Sequence, residues 1–358
     1  MKVVLIGVGQ AGGKVTQRLA EFDEQMGFGA IRDAFAVNSA KTDLQSLDID
    51  TMLIGQDRVK GHGVGGDNEL GAEIMQEEAT EVMDMLDGRV TTEAEAVVIV
   101  AGLGGGTGSG GSPALAKELK RVYDIPIYVL GILPGRDEGA LYQANAGRSL
   151  KTVIRESDSA ILIDNDAWRT SDETVEEGFE NINQQIAQRV GLLFAAGEVV
   201  DGVGESVVDS SEIINTLRNG GIASLGYASA EASEDAGENV NAITSMTRKS
   251  LLTSMSLPNA VDAEAALLVI AGQPERISRK GVERARKWVE EETGSLQVRG
   301  GDFPLDSDRL AALVLLGGVE RSQRVQEFMQ RAADAQAEAD DRGDPAEQFD
   351  NDQLDDLM

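Results

Sequence analysis

A glycine-rich run between residues 102 and 110 has the composition of a phosphate-binding loop. It holds six glycines in nine residues, together with Thr107 and Ser109, whose hydroxyls can also reach a ligand. The apolar run at 96–100 predicts a buried strand before it, and an amphipathic helical pattern follows it. Glycine lets the backbone approach a ligand closely, and a helix start adds free N–H groups and a positive dipole end. We therefore predict phosphate binding here rather than a flexible linker.

A second glycine motif, Gly7-Val8-Gly9-Gln10-Ala11-Gly12, follows a predicted strand at 3–6 and opens a helix that reaches about Met26. Alone, it fits the dinucleotide-binding fingerprint, so a Rossmann dehydrogenase is a serious alternative. Such an enzyme needs an acid at the end of its second strand to hold the ribose. Here the second strand, at about 34–37, ends at Asn38. The dehydrogenase interpretation therefore lacks its ribose-binding acid. Neither glycine run matches the Walker P-loop pattern.

The run from Gly104 to Gly110 resembles, in full, the Gly-Gly-Gly-Thr-Gly-Ser-Gly signature of the tubulin/FtsZ superfamily. Gln10-Ala11-Gly12 is similar to the tubulin form of that family's first phosphate loop, and Asn38 matches the asparagine of the second. Residues 61–71 resemble the third loop. The resemblance covers roughly residues 1–320. It implies an α/β tubulin/FtsZ fold with a Rossmann-like GTPase domain, a long central helix and a smaller α+β second domain.

The same resemblance implies contacts to the nucleoside. Glu138 matches an acid that accepts hydrogen bonds from ribose hydroxyls, although an exposed turn glutamate is an open alternative. Asn165 resembles the tubulin version of the sixth loop, where a carboxamide suits a guanine edge. Phe179 and Asn183 lie one helical turn apart and match positions that contact the base, although Phe179 would also fit a core position. The implied nucleotide-binding residues are Gln10, Ala11, Gly12, Gly13, Lys14, Asn38, Gly105, Gly106, Thr107, Gly108, Glu138, Asn165, Phe179 and Asn183.

One loop departs from the FtsZ pattern. FtsZ proteins carry an arginine shortly after the Glu-Gly of the fifth loop, and this chain has Ala140-Leu141-Tyr142 instead. We therefore expect nucleotide contacts that differ from those of FtsZ.

Two acids in the segment Asp209-Ser210-Ser211-Glu212 are candidates for hydrolysis. Glu212 falls in the first turn of a predicted helix, where an acid is also explained by capping. In the resembling family, this seventh loop brings carboxylates to the nucleotide of the next subunit, and FtsZ carries Asp-x-x-Asp there. The resemblance implies that Asp209 and Glu212 are catalytic and orient the attacking water from a neighbouring copy. The surrounding FtsZ sequence is missing.

The charge of the chain excludes some partners. The formal net charge is −30, from 62 acids and 32 bases, of which 22 are arginine and 10 are lysine. A nucleic-acid partner is not expected, because phosphate backbones require clustered bases. Dispersed acid with little lysine indicates a protein of a high-salt cytoplasm, whose folding and self-association weaken in dilute salt. With no cysteine, the chain has no disulfide or thiolate metal site.

The apolar runs are too short for a membrane span, and the first residues lead into a strand without a signal-peptide layout. We expect a cytoplasmic protein without membrane insertion. Asp67 and Glu69 lie at a helix start, so capping explains them and no metal ligand is assigned. His62, the single histidine, is interpreted as a solvated loop residue.

The expected domains are a GTP-binding domain at 1–196, a second domain at 197–332 and an acidic tail at 333–358. The first includes a central helix at about 174–195, and the second includes the catalytic loop. Ten acids and one arginine lie between Asp334 and Met358, which predicts a disordered tail whose end is a possible docking motif for a partner protein.

Apolar spacing predicts one continuous helix from Glu69 to Leu86 and strands at 126–133 and 160–163. Four further strands are expected at Ile222 to Ala230, Ala265 to Ala271, Leu296 to Gly300 and Leu310 to Leu316, separated by helices at about 239–254 and 278–292.

Tubulin-like loops combined with an FtsZ-like length and an acidic surface resemble the haloarchaeal CetZ proteins. The resemblance implies a GTPase that binds GTP or GDP with Mg²⁺ and polymerises head to tail into protofilaments. Hydrolysis would occur at the junction between subunits, and the cellular role would be in shape or motility. An FtsZ-type division protein is the near alternative, and a non-hydrolysing nucleotide-binding scaffold is the distant one.

Overall fold

A computed structural model describes residues 1–168, 175–198 and 207–341, and its centre is a ten-stranded mixed sheet. The strand order is β3-β2-β1-β4-β5-β6-β7-β10-β8-β9. The strands are β1 (Val3–Val8), β2 (Ile31–Asn38), β3 (Asp50–Leu53), β4 (Ala96–Gly102), β5 (Ile127–Leu133), β6 (Ser159–Asp164), β7 (Ile222–Glu231), β8 (Ala263–Gly272), β9 (Gln297–Pro304) and β10 (Arg309–Val319).

Helices cover both faces of this sheet. They are α1 (Gly9–Met26), α2 (Lys41–Leu44), α3 (Gln56–Val59), α4 (Asn68–Glu77), α5 (Ala79–Asp84), α6 (Gly106–Val122), α7 (Ala140–Glu156), α8 (Val175–Ala196), α9 (Ser210–Leu217), α10 (Val240–Thr253), α11 (Arg279–Thr293) and α12 (Gln323–Asp341), with a short 3₁₀ helix at Pro274–Arg276. Within the described parts of the chain, no helix combines the length and apolar character needed to cross a membrane.

The first six strands form a parallel sheet in the order 3-2-1-4-5-6, which is that of a doubly wound nucleotide-binding fold. Strands β1 and β4 are apolar and buried, as expected of a sheet covered on both faces. The order reverses between β1 and β4. Ligands of such sheets bind at this reversal, outside the carboxyl ends of the strands.

The second half continues the same sheet. Strand β7 pairs with β6 through Ala160–Ile222 and Ile161–Ala223. Beyond it, β10 lies antiparallel between β7 and β8, and β9 runs parallel to β8. The four later strands and two of their helices occur where the alternation of patterns predicts them.

Two apolar layers enclose the sheet. The central helix α8 contributes Ile186 and Val190 to the layer that also contains Val15 and Leu19 of α1. The opposite layer contains side chains of α4, α6, α7, α10 and α12, among them Phe328. The α/β fold with a long central helix is therefore confirmed.

The prediction of one continuous helix from Glu69 to Leu86 is wrong. The chain leaves helical geometry at Glu78, where φ is −108° and ψ is 17°, and α4 and α5 are separate helices. The Glu78 carboxylate accepts a hydrogen bond from the backbone N–H of Gly55 at 2.7 Å. The spacing of the apolar residues, from which the single helix was predicted, gives no indication of this contact with a distant loop.

The assignment of all residues from 333 onward to a disordered tail is also wrong in part, because α12 continues to Asp341. Alanine is frequent between 332 and 339, and it is the strongest helix former. The helix also packs closely on α7, where a Cβ added to Gly147 would lie 2.2 Å from Phe328 O. Residues 342–358 lie outside the described part of the chain.

A buried ion pair fastens α12 to the ends of β5 and β6. Arg324 is 2% exposed, and its Nε donates to Asp164 Oδ2 at 3.0 Å while Nη2 donates to Pro134 O at 2.8 Å. Burial raises the pKa of Asp164, and the guanidinium opposes that shift. The pair holds the chain just before Asn165.

We expect Arg324→Ala to lower the free energy of unfolding by about 3–5 kcal/mol, because Asp164 would remain buried without its partner. In this variant the pKa of Asp164 should rise further above its unfolded value. The folded state then binds more protons than the unfolded state, so stability should fall as pH rises through the raised pKa. Urea unfolding in molar KCl at several pH values measures both effects.

The control is Arg279→Ala, which removes an exposed pair with Glu283. Its effect should stay within about 0.5 kcal/mol. Equal losses in the two variants would contradict the role of the buried pair.

Candidate functional site

A cleft of about 430 Å³ lies at the carboxyl ends of β1, β2, β4, β5 and β6. Its walls are the loops that follow these five strands, the third loop and one face of α8. Twelve of the fourteen residues predicted to bind nucleotide line it: Gln10, Ala11, Lys14, Asn38, Gly105, Gly106, Thr107, Gly108, Glu138, Asn165, Phe179 and Asn183. The structure thus brings together residues that are up to 173 positions apart in the sequence, from Gln10 to Asn183.

The two remaining predicted residues, Gly12 and Gly13, face packed protein instead of the cleft. A Cβ on Gly12 would lie 2.2 Å from Val100 O, and one on Gly13 would lie 2.8 Å from Leu47 Cδ1. Both glycines are buried. In this structure they allow α1 to lie directly against the sheet. The glycine motif in the sequence does not show whether a glycine is needed for this packing or for contact with a ligand.

Two helices begin at the cleft, and neither first turn is capped by a side chain. The N-cap residues are Val8 for α1 and Gly105 for α6, and in the described part of the chain neither makes a side-chain cap hydrogen bond to its helix. The first N–H groups of a helix have no partner inside it, and the dipole makes this end positive. The cleft therefore suits an anion such as a phosphate group.

The two glycine loops are in contact with each other. Gly9 has φ 76°, in the left-handed region, and a Cβ there would lie 3.0 Å from Gly108 N. A Cβ on Gly108 would lie 2.5 Å from Gly102 O, whereas one on Gly105 would meet nothing within 4 Å. The backbone is therefore closely packed behind the loops and open at Gly105, as a cradle for phosphate requires.

Buried hydroxyls and amides join the second loop to the glycine run. Ser39 Oγ and Thr107 Oγ1 are 2.7 Å apart, and Asn38 Nδ2 donates to Asp43 Oδ2 at 3.0 Å. The sequence reasoning missed Ser39 and Asp43. The sequence did carry a signal for them, because two polar residues at the end of a buried strand need hydrogen-bond partners nearby.

The opposite end of the cleft contains the groups predicted to recognise a nucleoside. Glu138 Oε1 accepts from Gly135 N–H at 2.8 Å and from Asn165 Nδ2 at 3.2 Å. Phe179 is 39% exposed, so the alternative that it is a core residue is not supported. An exposed aromatic ring beside Asn183 offers a stacking surface next to a hydrogen-bonding amide.

Helix α7 supports the cleft from behind with buried amide side chains that the sequence analysis overlooked. Asn145 Nδ2 donates to Gly66 O at 2.7 Å and to Gly104 O at 3.0 Å, which joins the third loop to the glycine run. Gln143 donates to Gly135 O. Tyr142, which stands in the segment where FtsZ carries arginine, lines the cleft and is half exposed.

Asp67 caps α4, as its position in the sequence suggested. Its Oδ1 accepts from the N–H groups of Glu69 and Leu70, each at 3.0 Å. His62 lines the cleft on the third loop. Within the ranges 1–168, 175–198 and 207–341, no group of three or more His, Cys, Asp or Glu side chains is arranged to hold a metal ion.

Asp209 and Glu212 lie away from the cleft, at the first turn of α9. Asp209 Oδ1 accepts from Glu212 N–H at 3.2 Å and from Ser211 Oγ. Ser210 donates to Glu95, which precedes β4, so this turn lies at the amino ends of β1 and β4. The six residues of β1 separate it from the cleft by roughly 20 Å.

The environment of Glu212 raises the pKa of its carboxyl group above the usual value. Burial raises the pKa of Glu212, the nearby charge of Asp209 raises it further, and Arg299 opposes both effects. Asp209 is exposed at the surface. The pair therefore places two carboxyl groups on one helical turn, at the edge of the sheet opposite to the cleft.

Comparison with known proteins identifies matches over nearly the whole chain. The family model for the GTPase domain of the tubulin/FtsZ family matches residues 2–172, and the model for the C-terminal domain of tubulin-like CetZ matches residues 172–334. The chain is 68% identical to tubulin-like protein CetZ2 of Haloferax volcanii over 360 residues, covering 100% of both chains. It is 50% identical to CetZ1 of the same organism, covering 94% of this chain and 93% of that one.

Solved structures agree with these matches. CetZ2 from Haloferax volcanii, as a GTPgS-bound protofilament, superposes with a TM-score of 0.91 at 67% identity, covering 95% of this chain and 100% of that one. CetZ1 from the same organism, as a GDP-bound monomer, gives 0.87 at 50% identity, covering 94% and 100%. An FtsZ dimer from M. jannaschii gives 0.71 at 22% identity, covering 89% and 88%, and shares the fold.

Gly12, which packs against the sheet, and Gly105, which faces open space, make a testable contrast. We expect Gly12→Ala to lower the free energy of unfolding by about 1–3 kcal/mol, because its Cβ would overlap Val100 O. Gly105→Ala places its Cβ in open space at a φ of −75°, so its effect should stay within about 0.5 kcal/mol. Urea unfolding in molar KCl without added ligand measures both. A destabilised Gly105→Ala protein beside an unchanged Gly12→Ala protein would contradict this assignment.

Proposed function

Because the chain belongs to the CetZ proteins of the tubulin/FtsZ family, whose N-terminal domain is a GTPase domain, we propose that it binds GTP in the cleft and assembles into protofilaments. GTP is then hydrolysed at each junction between copies. One observation carries this proposal: the nucleotide cleft and the carboxylates of α9 lie at opposite ends of β1 and β4. A single copy cannot bring them together.

The phosphates of GTP are held mainly by backbone groups. The uncapped N-termini of α1 and α6 and the open position at Gly105 fit a phosphate chain. Among the described residues that line the cleft, Lys14 is the one lysine or arginine, and Asp43 and Glu138 add negative charge. Mg²⁺ would supply the missing positive charge. It commonly binds through substrate phosphates, waters and one or two carboxylates, so a dedicated protein cage is not required.

The guanosine occupies the opposite end of the cleft. Phe179 stacks on the base, and the amides of Asn165 and Asn183 hydrogen-bond its edge. Glu138 accepts from the ribose hydroxyls. Its hydrogen bond with Asn165 fixes the position of the ribose-binding side chain relative to the base-binding one. Twelve lining residues therefore have a role in nucleotide binding, while Gly12 and Gly13 act through packing.

Hydrolysis requires the acids of a second copy. Phosphoryl transfer depends on positioning the nucleophile and stabilising charge, and backbone N–H groups at the cleft supply the second of these. Asp209 and Glu212 of the neighbouring copy orient the attacking water. A head-to-tail contact of this kind joins unlike surfaces and propagates into a filament instead of a closed pair.

The relatives support this mode of assembly. CetZ2 of Haloferax volcanii has been solved as a GTPgS-bound protofilament, and CetZ1 as a GDP-bound monomer. We propose that this chain alternates between a GTP-bound filament and a GDP-bound monomer in the cytoplasm, with a role in cell shape or motility. The match of the second half to a CetZ domain favours this role over a division protein, because the likeness to FtsZ extends to the fold alone. A tail-binding partner remains a prediction for residues 342–358, which lie outside the described chain.

We expect Asp209→Ala and Glu212→Ala to abolish most GTP turnover while leaving nucleotide affinity within about twofold of the original protein, because neither residue lines the cleft. The polymers of both variants should persist after the original protein has disassembled. Phosphate release per subunit, binding of a fluorescent GTP analogue and sedimentation in molar KCl measure these properties.

A matched control is Glu283→Gln, which removes an exposed carboxylate of the same half, far from α9 in the sequence. Its turnover should be unchanged. In the original protein, turnover per subunit should rise with protein concentration. Full turnover by dilute monomers, or by the Asp209→Ala protein, is incompatible with hydrolysis at a junction.

A further inference from the structure

We infer that Glu95 is a positioning residue for GTP hydrolysis, through which β1 and β4 hold the acids of α9 in place for the next copy. The inference rests on the proposed function, since it assumes that Asp209 and Glu212 act at a junction. Glu95 itself touches neither the cleft nor these two carboxylates in the described hydrogen bonds. Its effect is therefore exerted through Ser210.

The first part of the argument is that Glu95 is firmly attached to the sheet. Its backbone N–H donates to Lys2 O at 2.8 Å, and the backbone N–H of Lys2 donates to Glu95 Oε2 at 2.7 Å. The residue directly precedes β4, and Lys2 directly precedes β1. One carboxylate oxygen is thus fixed at the amino ends of both strands.

The second oxygen of Glu95 faces α9. Ser210 Oγ donates a hydrogen bond to Glu95 Oε1. Ser210 is the first residue of α9 and follows Asp209, whose side chain caps that helix. The position of Ser210 therefore sets where Asp209 and Glu212 point.

Two further contacts of α9 and the residues just before it are made to the second half of the molecule. A Cβ added to Gly317 of β10 would lie 1.9 Å from Thr216 O, which shows how closely α9 lies on β10. Just before the helix, Val208 N–H donates to Asp302 O at 3.2 Å. The bond between Ser210 and Glu95 consequently links a helix seated on the second half to the nucleotide-binding half.

The end of α8 is held at the same corner. The amino group of Met1 donates to Phe194 O and forms an ion pair with Glu198 at 2.8 Å. A Cβ added to Gly197 would lie 3.1 Å from the Cα of Ser210. The structure thus places the end of α8, the start of α9 and the starts of β1 and β4 in mutual contact.

Strands β1 and β4 connect this arrangement to the nucleotide cleft. Their carboxyl ends lead into the two glycine loops of the copy's own cleft, and their amino ends hold Glu95 and Lys2. Because misplacement of a reacting group by about 1 Å can cost 10²-fold in rate, loss of the Glu95–Ser210 bond should appear in turnover and not in binding.

The test is a double-mutant cycle with Glu95→Ala, Ser210→Ala and the combined variant. We expect each single change to lower turnover per polymerised subunit by about tenfold or more, and the combined variant to lose no more than the worse single. GTP affinity and the critical concentration for assembly should remain within about twofold. Glu95→Gln, which retains an acceptor oxygen, should keep more turnover than Glu95→Ala.

Glu93→Ala is the matched control, because it removes an exposed carboxylate two positions away that pairs with Arg32 and not with α9. Its turnover should be unchanged. Thermal melting of every variant shows whether it is folded. If Glu95→Ala melts early, the conservative changes Ser210→Ala and Glu95→Gln decide the question.

Three results would overturn the inference: unchanged turnover in Ser210→Ala, losses that multiply in the combined variant, or a fall in turnover that matches an equal fall in assembly. These results are separable from failure of the proposed function. If Asp209→Ala abolishes turnover while Ser210→Ala does not, only the role of Glu95 is lost. If Asp209→Ala retains turnover, hydrolysis by the neighbour's acids is lost.

Discussion

The parallel direction of β1 and β4 is the constraint on which the rest of this molecule depends. Parallel strands bring all their carboxyl ends to one edge of a sheet, so the glycine loops that follow β1 and β4 meet there and contact each other at Gly9 and Gly108. The same geometry sends the amino ends to the opposite edge, where α9 presents its two acids. The proposed roles in binding and in hydrolysis therefore fall on different surfaces of the molecule.

A continuous sheet holds these surfaces in a fixed relation. The pairing of β6 with β7 carries the sheet from the nucleotide-binding half into the second half. The buried pair of Arg324 and Asp164 fastens the last helix to the strand ends beside Asn165, and Glu95 fastens α9 at the other edge. The two domains expected from the sequence are therefore two halves of one continuous sheet.

Much of the fold and the cleft could be predicted, because their signals are local. A buried strand followed by glycines and a helix is visible in the sequence, as are the helical spacing in α8 and the separation of Phe179 and Asn183 by one helical turn. The missed features depend on distant partners. The break in the predicted helix coincides with the bond from Gly55 to Glu78, and α12, which continues past residue 333, packs on α7 at Phe328 and Ala332. From the sequence, a packing role of Gly12 and Gly13 could not be distinguished from a ligand-binding role, since packing and phosphate binding both require glycine.

The separation of the cleft from α9 also determines how a filament would end. In a protofilament of the proposed kind, every interior cleft faces a neighbour's acids, but the copy at one terminus has a loaded cleft that no acids reach. The copy at the other terminus presents acids without a nucleotide to cleave. The two tips would then differ in chemistry. The uncleaved nucleotide would distinguish one tip of the polymer from the other.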